Sequence, residues 1–124
     1  MIKKIIVFIL ILSSLQACKR VSSFFGSTTY IPPAKTFALG EGKHNAYGAT
    51  VKNVGRAIVE VIQIDEQGIS TSLGTLTGNE QKNFEIKANH AILFKNQSTK
   101  EQGTLAIQLF RVTSSLSMGY LQDK

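Results

Sequence analysis

From Thr36 onward the chain is a succession of short runs in which apolar and polar residues alternate, each run closed by turn-forming residues. Successive strand side chains point to opposite faces, whereas a helix needs apolar positions every third or fourth residue. The pattern therefore predicts sheets and no amphipathic helix. Tyr47 to Asn53 is the first clear strand, and Val54-Gly55 leads from it into Arg56 to Asp65. That run carries Ile58, Ile62 and Ile64 on one face and Ala57, Val59 and Val61 on the other, as a central buried strand would. Ile62→Asp is accordingly expected to prevent folding, because a lone core carboxylate is desolvated without a partner.

Glu66-Gln67-Gly68 turns the chain into Ile69 to Leu76, and Thr77-Gly78-Asn79-Glu80 is turn chemistry again. Phe84, Ile86 and Ala88 alternate with Glu85 and Lys87. Asn89-His90 connects to Ala91–Asn96, a polar loop leads to Thr104–Val112, and Leu116–Leu121 reads as a last edge strand. Roughly six to eight short strands with polar turns predict an all-β fold: a small antiparallel β-sandwich, immunoglobulin-like (Ig-like) by preference, or a barrel. The Cys–Trp–Cys signature of antibody domains is missing, since the chain has one cysteine and no tryptophan. Val51-Lys52-Asn53 and Phe94-Lys95-Asn96 each close a strand before a turn, as an internal repeat or as convergent strand-end chemistry.

The first residues follow a different logic. Lys3 and Lys4 precede an unbroken apolar run, Ile5 to Leu12, and then come Ser13, Ser14, Leu15, Gln16, Ala17 and Cys18. A bilayer core about 30 Å thick needs about 20 apolar residues at 1.5 Å each, so this run is too short to span and fits the apolar region of a signal peptide. Leu15-Gln16-Ala17-Cys18 resembles the lipobox of bacterial lipoproteins, in which an apolar, a variable and a small residue precede the cysteine. The resemblance covers only these first residues. It implies cleavage between Ala17 and Cys18, a thioether-linked diacylglycerol on the Cys18 sulfur, and an acyl chain such as palmitate on the freed amine. Each buried methylene contributes about 0.8 kcal/mol, so two or three chains hold essentially permanently. Lys19 stands where Asp is the familiar inner-membrane retention signal. The resemblance thus implies an outer membrane, facing the periplasm, if the host has one.

Three segments follow: a signal peptide over residues 1–17, a lipidated cysteine and tether over 18–35, and a sandwich-like domain over 36–124. Val21 to Lys35 is rich in Ser and Thr, contains Pro32-Pro33, and reads as a partly extended tether. Its aromatics Phe24, Phe25 and Tyr30 are expected to pack back onto the domain, with the interface or a partner as the alternative.

Charge and chemistry narrow the function classes. The formal net charge is +6, and it falls to +4 when Lys3 and Lys4 leave with the leader. The remaining cations never form a run of three, so a nucleic-acid reader is not expected; anionic lipid headgroups or cell-wall polymers suit such spread charge. A single cysteine excludes an intramolecular disulfide and a zinc site built on Cys pairs. Gly40-Glu41-Gly42-Lys43 looks like a phosphate-loop fragment, but Phe37 and His44 stand where that motif needs Gly and Ser or Thr. His44 and His90, the only histidines, read as exposed loop residues; a metal site would need them to converge with a carboxylate such as Glu41. Asn96-Gln97-Ser98 fits a glycosylation sequon but reads as a turn. No catalytic residue, cofactor or metal is expected. The function read from these residues is a lipid-anchored, non-enzymatic interaction module that binds another envelope protein through its loops or an edge strand. The alternative is a glycan or cell-wall polymer binder, with Tyr47 and Tyr120 as the aromatic candidates.

Overall fold

The computed structural model describes residues 25–113 and 115–121. The signal peptide over 1–17, the lipobox Leu15, Gln16, Ala17 and Cys18, and the tether up to Phe24 lie outside the described residues. Among the described residues the regular structure is entirely β: β1 (Phe25–Ile31), β2 (Thr36–Leu39), β3 (Tyr47–Asn53), β4 (Val59–Ile64), β5 (Ser70–Leu76), β6 (Gln81–Ile86), β7 (Ala91–Asn96), β8 (Gly103–Phe110) and β9 (Met118–Tyr120). They form two antiparallel sheets, ordered β1-β8-β3-β6 and β5-β4-β7-β2-β9. The antiparallel sandwich read from the alternation is what the chain forms.

Its connectivity is not immunoglobulin-like. Only β4 and β5 are consecutive strands that also pair; every other described connection carries the chain from one sheet to the other. Two four-stranded sheets wound in this way are a jelly roll, and β9 adds an edge strand beside β2. The winding has internal symmetry. Pairs β1·β8, β8·β3 and β3·β6 in one sheet correspond to β5·β4, β4·β7 and β7·β2 in the other, so β1–β4 and β5–β8 are equivalent halves. Alternation fixes which face of a strand is buried, but not which strand lies beside it.

The domain also begins earlier than Thr36. Phe25–Ile31 pairs with β8 over its whole length, and Ile31 is fully buried. Gly26-Ser27-Thr28-Thr29 offers no apolar contrast from which to read a period, and β8 needs a partner on its free side. Pro32-Pro33 is correspondingly a turn and not an extended segment: Lys35 N–H donates to the Pro32 carbonyl at 3.1 Å, with Ala34 at φ 60°. Tyr30 does not pack back; its side chain is 55% exposed.

The core fills the space between the sheets with Leu39, Val51, Val59, Val61, Leu76, Ile92, Phe94, Leu105 and Leu109, all but inaccessible to water. Burying each such side chain contributes about 1.5–3 kcal/mol. In β4 it is Val59 and Val61 that point inward, while Ile62 and Ile64 are half-buried on the outer face and Ile58 is exposed. The strand lies inside its sheet, between β5 and β7, and a bulge against β5 follows Val61. An interior strand of a two-layer sandwich still has only one dry face, so Ile62 is not the core residue expected.

That assignment gives a test. Val61→Asp should abolish the cooperative thermal transition seen by circular dichroism, whereas Ile62→Asp should keep it, with the midpoint lowered by no more than about 10 °C.

Candidate functional site

The two ends of the sandwich hold its buried polar groups. At one end β3 and β7 finish in Asn53 and Asn96, both fully buried. The Asn53 side-chain amide donates to the carbonyls of Ala57 and Leu76, both at 2.8 Å, while its Oδ1 accepts from Gly55 N–H at 3.0 Å. The Asn96 amide donates to the carbonyls of Ile31 at 3.1 Å and Glu101 at 2.8 Å, and more weakly to Pro32; its Oδ1 accepts from Ser98 N–H at 2.9 Å. The two schemes match position by position. In each, an amide reaches the loop after its own strand, the end of the first strand of a half-barrel, and the backbone two residues on. The paired Lys-Asn strand ends therefore occupy equivalent places in the two halves. The same bonds leave Asn96 of the sequon no free amide: it is not a turn residue but the buried end of β7, and only Gln97 and Ser98 lie beyond the strand.

Between the two loops so fixed lies an open depression of about 370 Å³ lined by Arg56, Ala57, Ile58, Gln97, Ser98 and Glu101. Val54 and Ile58 stand exposed on the first of these loops.

At the opposite end the histidines differ from their reading as exposed loop residues. His44 is only 6% exposed. Its backbone exchanges hydrogen bonds with Asn89: His44 N–H donates to Asn89 Oδ1 at 2.9 Å, and Asn89 N–H donates to the His44 carbonyl at 3.1 Å. The ring sits between two carbonyl oxygens, with Nδ1 2.7 Å from that of Asn45 and Nε2 2.7 Å from that of His90. A neutral imidazole has one N–H and can donate to only one of them. His90 is half-buried, and Gln63 Nε2 lies 2.9 Å from its Nδ1. The β2–β3 loop is thus clasped to the β6–β7 turn. Alternation could not show this, because the fastening crosses 45 residues of sequence.

Tyr47, expected among the exposed aromatics, is 1% exposed and stands edge-to-face against the His44 ring at 5.3 Å. Among the described residues no group partners its hydroxyl, and burial pushes the phenol well above its ordinary pKa. Gly40 covers the pair at φ 77°, and a Cβ there would stand 2.9 Å from the Tyr47 hydroxyl and 3.2 Å from His44 Nε2. The glycine of the supposed phosphate loop is a lid over this pair. Glu41, Lys43, Asp65, Glu66 and Asn89 line an open surface depression of about 370 Å³ nearby. Among the described residues no three His, Cys, Asp or Glu side chains come close enough to hold a metal ion, and both His44 nitrogens already face main-chain oxygens. Of the aromatic candidates Tyr120 alone reaches solvent, edge-on to Phe37, its hydroxyl donating to the Tyr30 carbonyl.

No protein-family model and no curated protein matches the chain. Solved structures do match in fold. An uncharacterised conserved protein with a double-stranded β-helix domain from Klebsiella pneumoniae aligns over 79% of this chain and 76% of its own, at 12% identity and a TM-score of 0.56. The Yersinia pseudotuberculosis-derived mitogen aligns over 82% and 96%, at 10% identity and a TM-score of 0.50. The coconut allergen cocosin aligns over 77% of this chain but only 23% of its own, at 14% identity and a TM-score of 0.55. The chain is similar to these proteins in its double-sheet winding, and a fold of this kind assigns no chemistry by itself.

Two substitutions separate the fastenings from the misfit. Asn96→Ala leaves several buried carbonyls without a donor and should lower the unfolding free energy by about 3 kcal/mol in a denaturant titration. Tyr47→Phe removes a buried hydroxyl that has no protein partner and should leave stability unchanged or raise it by about 1 kcal/mol in the same titration.

Proposed function

We propose that the chain is a lipid-tethered, non-enzymatic interaction module of a bacterial cell envelope, held to a membrane through Cys18 and recognising another envelope component with its exterior. The observation that supports the non-enzymatic reading is the filling of the sandwich. Val51, Val59, Leu76, Ile92, Phe94 and Leu105 occupy the space between the sheets, where a ligand would otherwise be enclosed. The Asn53 and Asn96 amides at one end and His44 at the other are tied to main-chain atoms and hold loops together. Recognition then falls to loops and to sheet edges, and β5, β6, β9 and β1 supply four edges. The address rests on Lys3-Lys4, the apolar run and Leu15-Gln16-Ala17-Cys18; with Lys19 after the cysteine, an outer membrane facing the periplasm is the preferred site.

The reading is tested on the intact protein in a bacterial host. Mass spectrometry of membrane-extracted protein should find a chain beginning at Cys18 that carries acyl groups, and Cys18→Ser should release the chain from the membrane fraction. An unmodified Cys18, or an uncleaved leader, overturns the tether. Affinity capture from native membranes with the lipidated form should recover a protein or a glycan; an activity that turns over a small molecule overturns the non-enzymatic reading.

A further inference from the structure

Charge is divided unequally between the two ends of the sandwich. At the end closed by Asn53 and Asn96 lie Lys35, Lys52, Arg56, Lys82, Lys95 and Lys100, against Glu60, Glu80 and Glu101. At the end clasped by His44 the balance reverses: Lys43, Lys87 and Arg111 face Glu41, Asp65, Glu66 and Glu85, with Arg111 and Glu85 paired. Among the described residues, then, the whole positive excess sits at one end. Its placement follows from the fold. Asn53 and Asn96 point inward, so the preceding Lys52 and Lys95 point outward, one on each sheet, while Arg56 and Lys100 sit in the two loops that the buried amides hold. Arg56 thus lines, and Lys100 adjoins in sequence, the depression completed by Ala57, Ile58, Gln97, Ser98 and Glu101. Loops fixed before binding lose little freedom on binding. The lining joins a guanidinium and two neutral polar side chains to an apolar floor at Ile58, which suits a polymer carrying both hydroxyls and anionic groups. Glu101 is the one carboxylate in it.

The point where the chain enters sets which end lies nearer an anchor at Cys18. The chain enters the sandwich at Phe25, the first residue of β1, and Phe25 pairs with Leu109 near the end of β8, at the His44 end. From Cys18 to Phe25 an extended chain spans at most about 25 Å, while the strands carry the basic end about 20 Å further along. An anchor at Cys18 would therefore join the domain at its mixed, slightly acidic end and leave the basic end farther from the point of attachment. We infer that the basic end docks a carboxylate-bearing cell-wall polymer. The orientation rests on the lipid-tethered reading above; the docking surface does not.

Intact lipidated protein, incorporated in vesicles of zwitterionic lipid, is co-sedimented with purified cell-wall sacculi. Binding should occur at low salt and fade as salt rises. The pair Arg56→Glu and Lys100→Glu should weaken it by about tenfold or more, while Lys43→Glu and Lys87→Glu, the same change of net charge at the other end, should leave it within about twofold. A thermal melt of each double variant confirms that the fold is kept. Equal loss in both pairs, no loss in either, or binding to anionic vesicles in preference to sacculi overturns the inference. The unlipidated Cys18→Ser chain keeps the two readings apart. If it binds sacculi while wild-type Cys18 proves unmodified, the docking surface stands and the tether falls. If wild-type protein is acylated yet ignores sacculi, the tether stands and the docking surface falls.

Discussion

The jelly roll depends on closing its crossovers, and two buried amides do this at one end. Almost every connection here must cross from one sheet to the other, a gap of about 10 Å, and a chain making that crossing carries main-chain polar groups into the interior. Asn53 meets the need on its half. Its backbone N–H donates to the Glu80 carbonyl at 2.9 Å, its carbonyl accepts from Asn79 N–H at 2.8 Å, and its side chain joins the β3–β4 loop to the end of β5. Asn96 repeats this on the other half: its N–H donates to the Lys35 carbonyl at 2.9 Å and its amide reaches the end of β1. Only an amide fits. Aspartate would aim an anion at carbonyl oxygens, and serine has one donor where two or three acceptors wait.

The far end is closed by a different device, and a less complete one. His44 joins the β2–β3 loop to the β6–β7 turn through its backbone and its Nε2, while Nδ1 faces the Asn45 carbonyl of its own loop; packing it there buries the Tyr47 ring, whose hydroxyl has no partner among the described residues. The edge-to-face rings require Gly40 above them in a conformation that other residues adopt only with strain. What looked in sequence like a flexible glycine loop beside two free histidines is a packed, directional closure. Its histidine is engaged with main-chain atoms and its tyrosine hydroxyl is buried under Gly40, so it offers little to a ligand.

How far the sequence could be read depended on what kind of information each feature carries. Tyr47–Asn53 and Ala91–Asn96 were legible to the residue, because alternation records one dry face and an asparagine marks the strand end. The edge position of the last strand was legible too, since Gly119 interrupts an otherwise apolar run. Strand β1 was not: Gly26-Ser27-Thr28-Thr29 has no contrast, and its strand character comes from the partner it meets on β8. Val61 and Ile62 look interchangeable between Glu60 and Gln63, and only the strand's position in a two-layer sandwich decides which one is dry. The burial of His44 was illegible for the same reason, since its partners Asn89 and His90 are remote in sequence. The repeated Lys-Asn pair was visible, but its meaning needed the symmetry of the winding.

That symmetry bears on where recognition can lie. Two equivalent halves would bring two equivalent loops to each end, yet the decorations differ: the inward position is the same Asn in both, while the loops that follow carry Arg56 and Ile58 in one half and Gln97, Ser98 and Glu101 in the other. The buried residues repeat because each half must solve the same closure problem. Loop side chains face no such demand and are free to diverge. A surface assembled from two unlike loops, each fastened by an identical amide, is rigid where the fold requires it and variable where a partner would be read.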